Sequence, residues 1–242
     1  MNGDLLERAA ERRRIDGALA DATRGAGRLV LIEGPAGIGK SVLLEDAVRR
    51  SASGRLRVLR ARAGELERDF AFGLVRQLLE AELSPTPPGG DEFAVLAAQH
   101  RRLLELAAER PVLLALDDLH WADAPSLRFA DYAARRLDDA PVAILATLRP
   151  AEPGAPAELL DRLRSQAGVL RMSLRPLSAK ATAQMVHRRL PGADRATCAA
   201  YHEASAGNTL YLEELLRGGA PETVAAVRAA RIAGLAESLG RR

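Results

Sequence analysis

Gly34-Pro35-Ala36-Gly37-Ile38-Gly39-Lys40-Ser41 fits the spacing G-x-x-x-x-G-K-[ST], and the rest of the chain is best read outward from it. Glycines let the backbone turn tightly with its N–H groups pointing inward, forming a nest for anions. A lysine at this position reaches the outer phosphates of a nucleoside triphosphate, and the following hydroxyl suits Mg²⁺. The flanks agree: Arg28-Leu-Val-Leu-Ile-Glu33 reads as a short buried strand and Ser41-Val42-Leu-Leu-Glu-Asp-Ala-Val-Arg49 as an amphipathic helix. That helix aims its positive N-terminal dipole at whatever the loop holds. The alternative, a chance glycine-rich turn, does not require strand, loop and helix in this order.

The bulk composition sets the frame. A chain of 242 residues, 48% hydrophobic and 28% charged, suits one large globular domain with a smaller appendage. Aromatics are only 3%, so the core is expected to be built from Leu, Val, Ala and Ile. One cysteine excludes an intrachain disulfide and fits a reducing cytoplasm. The charged N-terminus lacks a secretory pattern, and the longest uncharged apolar run, residues 140–148, is far shorter than the roughly 18 residues of a membrane span. The expectation is a soluble, cytoplasmic protein with no membrane partner. The net charge is +3 and all but two of the 35 basic residues are arginine, which resembles a coding bias more than a nucleic-acid surface. Arg12-Arg13-Arg14 has no aromatic neighbours for base stacking and reads as a solvated helix face.

Apolar runs alternate with helical patterns, which predicts a parallel sheet with helices on both faces. The predicted strands are 28–33, 57–61, 111–117, 142–147 and 169–174. The predicted helices are 4–22, 41–51, 72–83, 92–109, 125–137 and 157–166, with a loop at Ser84–Gly90. Beyond Pro176 the pattern is helical: 178–189, 193–204, 209–217 and 221–238. This divides the chain into a phosphate-binding α/β domain, 1–176, a helical lid, 177–219, and the start of a further helical unit, 220–242.

Pro111-Val-Leu-Leu-Ala-Leu-Asp117-Asp118 is an apolar run ending in two carboxylates, and ligands of parallel sheets bind at the carboxyl ends of strands. Asp117 is therefore a candidate Mg²⁺ ligand with Ser41, and Asp118 a candidate to orient or deprotonate the attacking water. Asp117-Asp118-Leu-His-Trp-Ala-Asp123, followed by Ser126-Leu127, closely resembles the Walker B segment of the ATPase domain in large bacterial LuxR-type regulators. These belong to the STAND signal-transducing ATPases, relatives of AAA+ proteins. Four further stretches carry the resemblance: Leu6-Glu7-Arg8-Ala-Ala-Glu11, Glu65-Leu-Glu-Arg-Asp-Phe-Ala-Phe-Gly73 with Val75-Arg-Gln-Leu78, Ala146-Thr-Leu-Arg149-Pro150, and Gly207-Asn-Thr-Leu-Tyr-Leu-Glu-Glu-Leu215.

The resemblance implies a P-loop NTPase fold of the ASCE/STAND type, with the five-stranded parallel sheet in the order 5-1-4-3-2 and a small helical lid. It implies ATP and Mg²⁺ as cofactors, with the whole stretch Gly34 to Ser41, together with Val42, around the nucleotide. Arg8 is implied near the base or ribose, and Arg149 is implied to sense the γ-phosphate. Lys40, Asp118 and Arg149 form the implied catalytic set. Glu7 stands where the family usually has Gly, and Thr209 where it usually has Pro. Family members continue through a winged helix, a repeat sensor and a C-terminal helix-turn-helix; residues 221–232 resemble the first helix of the winged unit, and no DNA-reading element is expected in these 242 residues.

Other constellations rank lower. Cys198 and His202 share a predicted helix face, with His187 as a remote third ligand, a pattern more often structural than metallic. His120 and Trp121 shape the loop after the double aspartate, with Trp121 assigned to packing. The function expected is an ATP–Mg²⁺ switch module with slow hydrolysis, open to self-association or a protein partner. Two rivals stand: an independent ATPase or phosphotransferase, which a turnover above about 1 per second would favour, and a non-catalytic remnant acting as an interaction module, which exposed apolar surface on 221–238 would favour.

Overall fold

A computed structural model describes residues 5–52, 54–79 and 92–217. The predicted loop at 84–90, the end of the helix predicted over 72–83, and everything predicted for 218–242 lie outside the described residues.

The expected sheet is present. Strands β1 (Arg28–Glu33), β2 (Arg57–Arg62), β3 (Val112–Asp117), β4 (Val142–Leu148) and β5 (Leu170–Ser173) form one sheet in the order β2-β3-β4-β1-β5, every pair parallel. Strands β1, β3 and β4 are near-continuous runs of buried residues, as strands covered on both faces must be. Side chains alternate across the pleat. Leu29, Leu31, Leu114, Leu116, Ile144 and Ala146 join one core with residues of α3 (Gly73–Leu79), α4 (Glu92–Glu109), α5 (Ala124–Ala134) and α6 (Ala157–Arg164). Val30 and Ile32 face the other way, where α1 (Ala9–Thr23) and α2 (Lys40–Ala52) pack on the sheet. Burying each such Leu or Ile side chain contributes about 1.5–3 kcal/mol.

The first helix starts later than its periodicity suggests, at Ala9 rather than residue 4. Glu7 adopts φ +56°, a left-handed conformation that ends any helical continuation and suits the glycine that the resemblance places there. Arg12, predicted as part of a solvated face, keeps 41% of its side chain exposed and in addition pairs at 3.0 Å with the buried carboxylate of Asp46 on α2, which also accepts from Arg50.

Two compact units result. One comprises Arg8–Gly34 and Lys40–Ser173 and contains the sheet. The other groups the described residues up to Glu7, the loop Pro35–Gly39, and the described chain from Leu174 onward. Its helices are α7 (Ala179–Arg189), α8 (Arg195–Ser205) and α9 (Thr209–Arg217). Ser178 and Asp194 cap α7 and α8 with side-chain oxygens, each accepting an otherwise orphaned N–H. Leu177, Ala181, Val186, Tyr201, Leu212 and Leu216 form this unit's own core, with Leu6 packed against it.

Candidate functional site

Strand register brings the two sequence motifs together in the sheet unit. β1 ends at Glu33 beside Leu148 of β4, and β2 ends at Arg62 beside Asp117 of β3, so the carboxyl ends of the strands form one rim. Lys40 opens α2 and is buried, with Nζ donating to the Gly34 carbonyl at 2.9 Å. The Ser41 hydroxyl donates to Asp117 Oδ1 at 2.9 Å. Thr147, fully buried on β4, donates to the same oxygen at 2.6 Å and accepts from the Asp118 N–H at 2.8 Å. One hydroxyl thus fixes both aspartates. Thr147 lies inside the quoted stretch Ala146–Pro150, but only the strand order places it next to Asp117.

Asp118 sits at φ +54°, a left-handed conformation that Asp tolerates better than most residues. Its carboxyl pKa is raised, first by burial and then by the neighbouring charge of Asp117. Arg62 reaches Asp118 Oδ2 at 3.2 Å and lies 3.7 Å from Asp117 Oδ2, although its side chain is 72% exposed. Arg149 pairs with Glu152 at 3.0 Å. Burial, and then the Arg149 charge, lower the Lys40 pKa, which the two aspartates and Glu152 oppose. Lys40, Asp117, Asp118, Arg149 and Glu152 therefore share one electrostatic environment. Sequence reading missed Arg62 and Glu152; for Arg62 the signal was its place at the end of a strand pairing with β3.

His120 follows in a 3-10 turn at 119–121, wholly buried, its ring nitrogens without hydrogen-bond partners and Nε2 4.0 Å from Asp118 Oδ1. Burial first, then Arg149, hold its pKa at about 4 against an ordinary 6.5. The unfolded chain therefore takes up this proton first as pH falls. Stability should drop through the window from 6.5 to about 4, by about 3 kcal/mol once the folded pKa is passed. Urea denaturation at pH 7 and pH 4.5 measures the drop, and His120→Phe should remove most of it. An undiminished drop in that variant would move the acid lability to other groups, first among them His100, whose pKa burial also lowers.

The remaining loop residues are held within the helical unit. Asn208 Nδ2 donates to the Ala36 carbonyl at 2.8 Å, and the Thr209 hydroxyl and the Leu210 N–H both donate to the Gly37 carbonyl. Gly37 has φ +73°, and a Cβ there would lie 2.5 Å from Asn208 Oδ1, so only glycine fits. Ile38 is buried, while Val42, on the first turn of α2, is half exposed. Arg8 is buried and lies 4.0 Å from Glu11. In the helical unit Cys198 Sγ is 3.7 Å from His187 Nε2, whereas His202 bonds Thr182 instead; no cluster of three metal-ligating side chains exists among the described residues.

The donor set at the rim, one hydroxyl and two carboxylates, is all hard oxygen and fits Mg²⁺. No helix among the described residues is long and apolar enough to cross a membrane.

Comparison with known proteins bears on the family and the fold. The chain is 29% identical to an uncharacterized protein of Rhizobium meliloti (strain 1021), over 89% of its own length and 25% of that protein's, so it spans about a quarter of that relative. Its fold resembles Cdc6p of Pyrobaculum aerophilum (TM-score 0.63, 15% identity, 96% of this chain and 64% of that one) and the Aeropyrum pernix ORC1 protein, solved in complex with DNA (0.60, 20%, 89% and 60%). It also resembles a STAND protein with a tetratricopeptide repeat sensor from Pyrococcus horikoshii (0.53, 15%, 85% and 29%). At these identities the likeness establishes the fold alone. The profile of the AAA ATPase domain matches residues 4–145, more than half of the chain, and with the motifs assembled on one rim, this chain belongs to the AAA ATPase domain family.

Proposed function

We propose that this chain is the ATP–Mg²⁺-binding switch module of a signal-transduction ATPase of the LuxR-type regulator kind, hydrolysing ATP slowly. What supports the reading most is the hydrogen-bonded chain Ser41–Asp117–Thr147–Asp118, which ties the phosphate-loop motif to the acidic motif. The link to LuxR-type regulators is supported by the motif resemblance in sequence, and the accompanying helical segment 177–219 and the unit beginning at 220 are parts of the same proposal.

In this reading Gly34–Ser41 and Val42 surround the nucleotide, with Arg8 on its base side. Lys40 neutralises the outer phosphates, and Ser41 and Asp117 hold Mg²⁺, which when bound draws charge off the phosphate oxygens. Asp118 orients the attacking water and receives its proton, a task its raised pKa suits. Arg149 contacts the γ-phosphate, its planar guanidinium matching two oxygens at once. An equilibrium titration of the 242-residue chain with mant-ATP and Mg²⁺ tests the proposal. Saturable, Mg²⁺-dependent binding is expected, and a folded protein that fails to bind would overturn it.

Arg62 stands at these carboxylates as a competing cation. Arg62→Ala should tighten Mg²⁺ binding to the ATP complex by about two- to fivefold, the scale of an exposed ion pair. Magnesium titration at fixed mant-ATP reads the change. Weaker binding in the variant would instead make Arg62 a contact of the bound nucleotide.

A further inference from the structure

The stretch Glu65–Gly73 belongs to the sequence resemblance but brought no chemistry with it. One of its side chains reaches two other loops of the sheet unit. The Arg68 guanidinium carbon lies 3.8 Å from the centroid of the Trp121 ring, in the loop that follows Asp118. Its Nη1 and Nη2 donate to the carbonyls of Gly154 at 3.2 Å and Pro153 at 3.4 Å. Those two residues directly follow Glu152, the ion-pair partner of Arg149, and lie four and five residues beyond Arg149 itself. Gly154 has φ +73°, and a Cβ there would lie 2.7 Å from Arg68 Nη1, so this loop is shaped around the guanidinium. The far end of the stretch is anchored as well. Buried Asp123 caps α5 through the Ser126 N–H at 2.9 Å and also accepts from the N–H groups of Phe72 at 2.8 Å and Leu74 at 3.4 Å. Phe72 is held there at φ +60°, a conformation costly for a bulky side chain. Arg68 therefore sits on a segment fixed to the acidic-motif loop at one end, and itself holds the arginine-bearing loop at the other.

We infer that Arg68 is a positioning residue for Arg149. By stacking on the Trp121 ring while donating to the Pro153 and Gly154 carbonyls, it fixes the direction in which the loop presents the Arg149 guanidinium. Through Arg149 it sets how well the site separates a triphosphate from a diphosphate. A planar guanidinium can stack on an indole and donate to two carbonyls at once, which neither lysine nor a neutral side chain reproduces. This inference rests on the nucleotide-site reading above.

The test compares mant-ATP and mant-ADP affinities, with Mg²⁺, for wild type, Arg68→Ala, Arg149→Ala and the double variant. Arg149→Ala should lower the preference for ATP over ADP about tenfold or more, the scale of a lost charge-assisted contact. Arg68→Ala should lower the same preference by a comparable factor and leave ADP affinity unchanged, and the double variant should lose no more than Arg149→Ala alone. A merely structural role would weaken ATP and ADP together. Arg68→Lys, which keeps the charge but cannot stack on the indole and donate to two carbonyls at once, should mimic Arg68→Ala and serves if that variant does not fold. A wild-type ratio in Arg68→Ala and Arg68→Lys, or losses that multiply in the double variant, would overturn the inference. Wild type that binds both nucleotides equally, in a Lys40-dependent manner, also overturns it while leaving the nucleotide site standing. No Lys40-dependent binding at all overturns the nucleotide-site reading itself, and this inference with it.

Discussion

Lys40→Ala should weaken mant-ATP binding by at least about a hundredfold, which corresponds to losing a charged hydrogen bond to phosphate together with its Coulomb attraction in a partly desolvated site. The argument starts from burial. Lys40 is only 5% exposed, and its Nζ already satisfies the Gly34 carbonyl at 2.9 Å, so the cation is held at the loop before any ligand arrives. Its pKa is lowered by burial and by Arg149, which means the charged form is under strain that an anion would relieve. Alanine removes the charge and leaves the Gly34 carbonyl without this donor. Circular dichroism should show the fold intact, since Lys40 opens α2 where alanine is well tolerated. Affinity within threefold of wild type would remove the loop from the nucleotide assignment altogether.

Asp118→Asn should keep mant-ATP affinity within about threefold and slow single-turnover hydrolysis by about a hundred- to a thousandfold, the range of a lost general base. Asparagine is the informative replacement because it shares aspartate's tolerance of the left-handed backbone found here at φ +54°. The substitution removes the proton acceptor and keeps the Asp118 N–H bond to Thr147. Asp117, held by Ser41 and Thr147, should remain in place as the proposed metal ligand. Equal turnover in the variant would shift the base to another group, with Glu152, ion-paired to Arg149, examined next.

These tests rest on residues that were legible in the sequence to different degrees. Strand order is what the family resemblance implies, whereas the pairing of Ser41 with Asp117 follows from two motifs whose residue types phosphate and metal chemistry dictate. Arg62, Thr147 and Glu152 carry no such signal, because each acts through a neighbour 29 or more residues away or through a loop geometry that no local pattern encodes. Arg68 shows the same limit: its partners Trp121, Pro153 and Gly154 are adjacent only after β3 and β4 have paired. The first helix was read too long because periodicity registers apolar faces but not the left-handed turn at Glu7. Arg12 is exposed as its charge cluster suggests, but its pairing with Asp46 needs α1 and α2 to pack side by side, which no local pattern encodes.

Asn208, Thr209 and Leu210 hold the carbonyls of Ala36 and Gly37 from a point more than 170 residues further along the chain. Any dissection of this protein into fragments has to respect that. A piece ending at Ser173 would contain all five strands and every residue of the phosphate-loop motif, yet lack the groups that hold the middle of that loop in shape. The shortest fragment worth testing for nucleotide capture therefore extends through α9, to Arg217, and limited proteolysis between the last strand and α9 should inactivate the loop without cutting it.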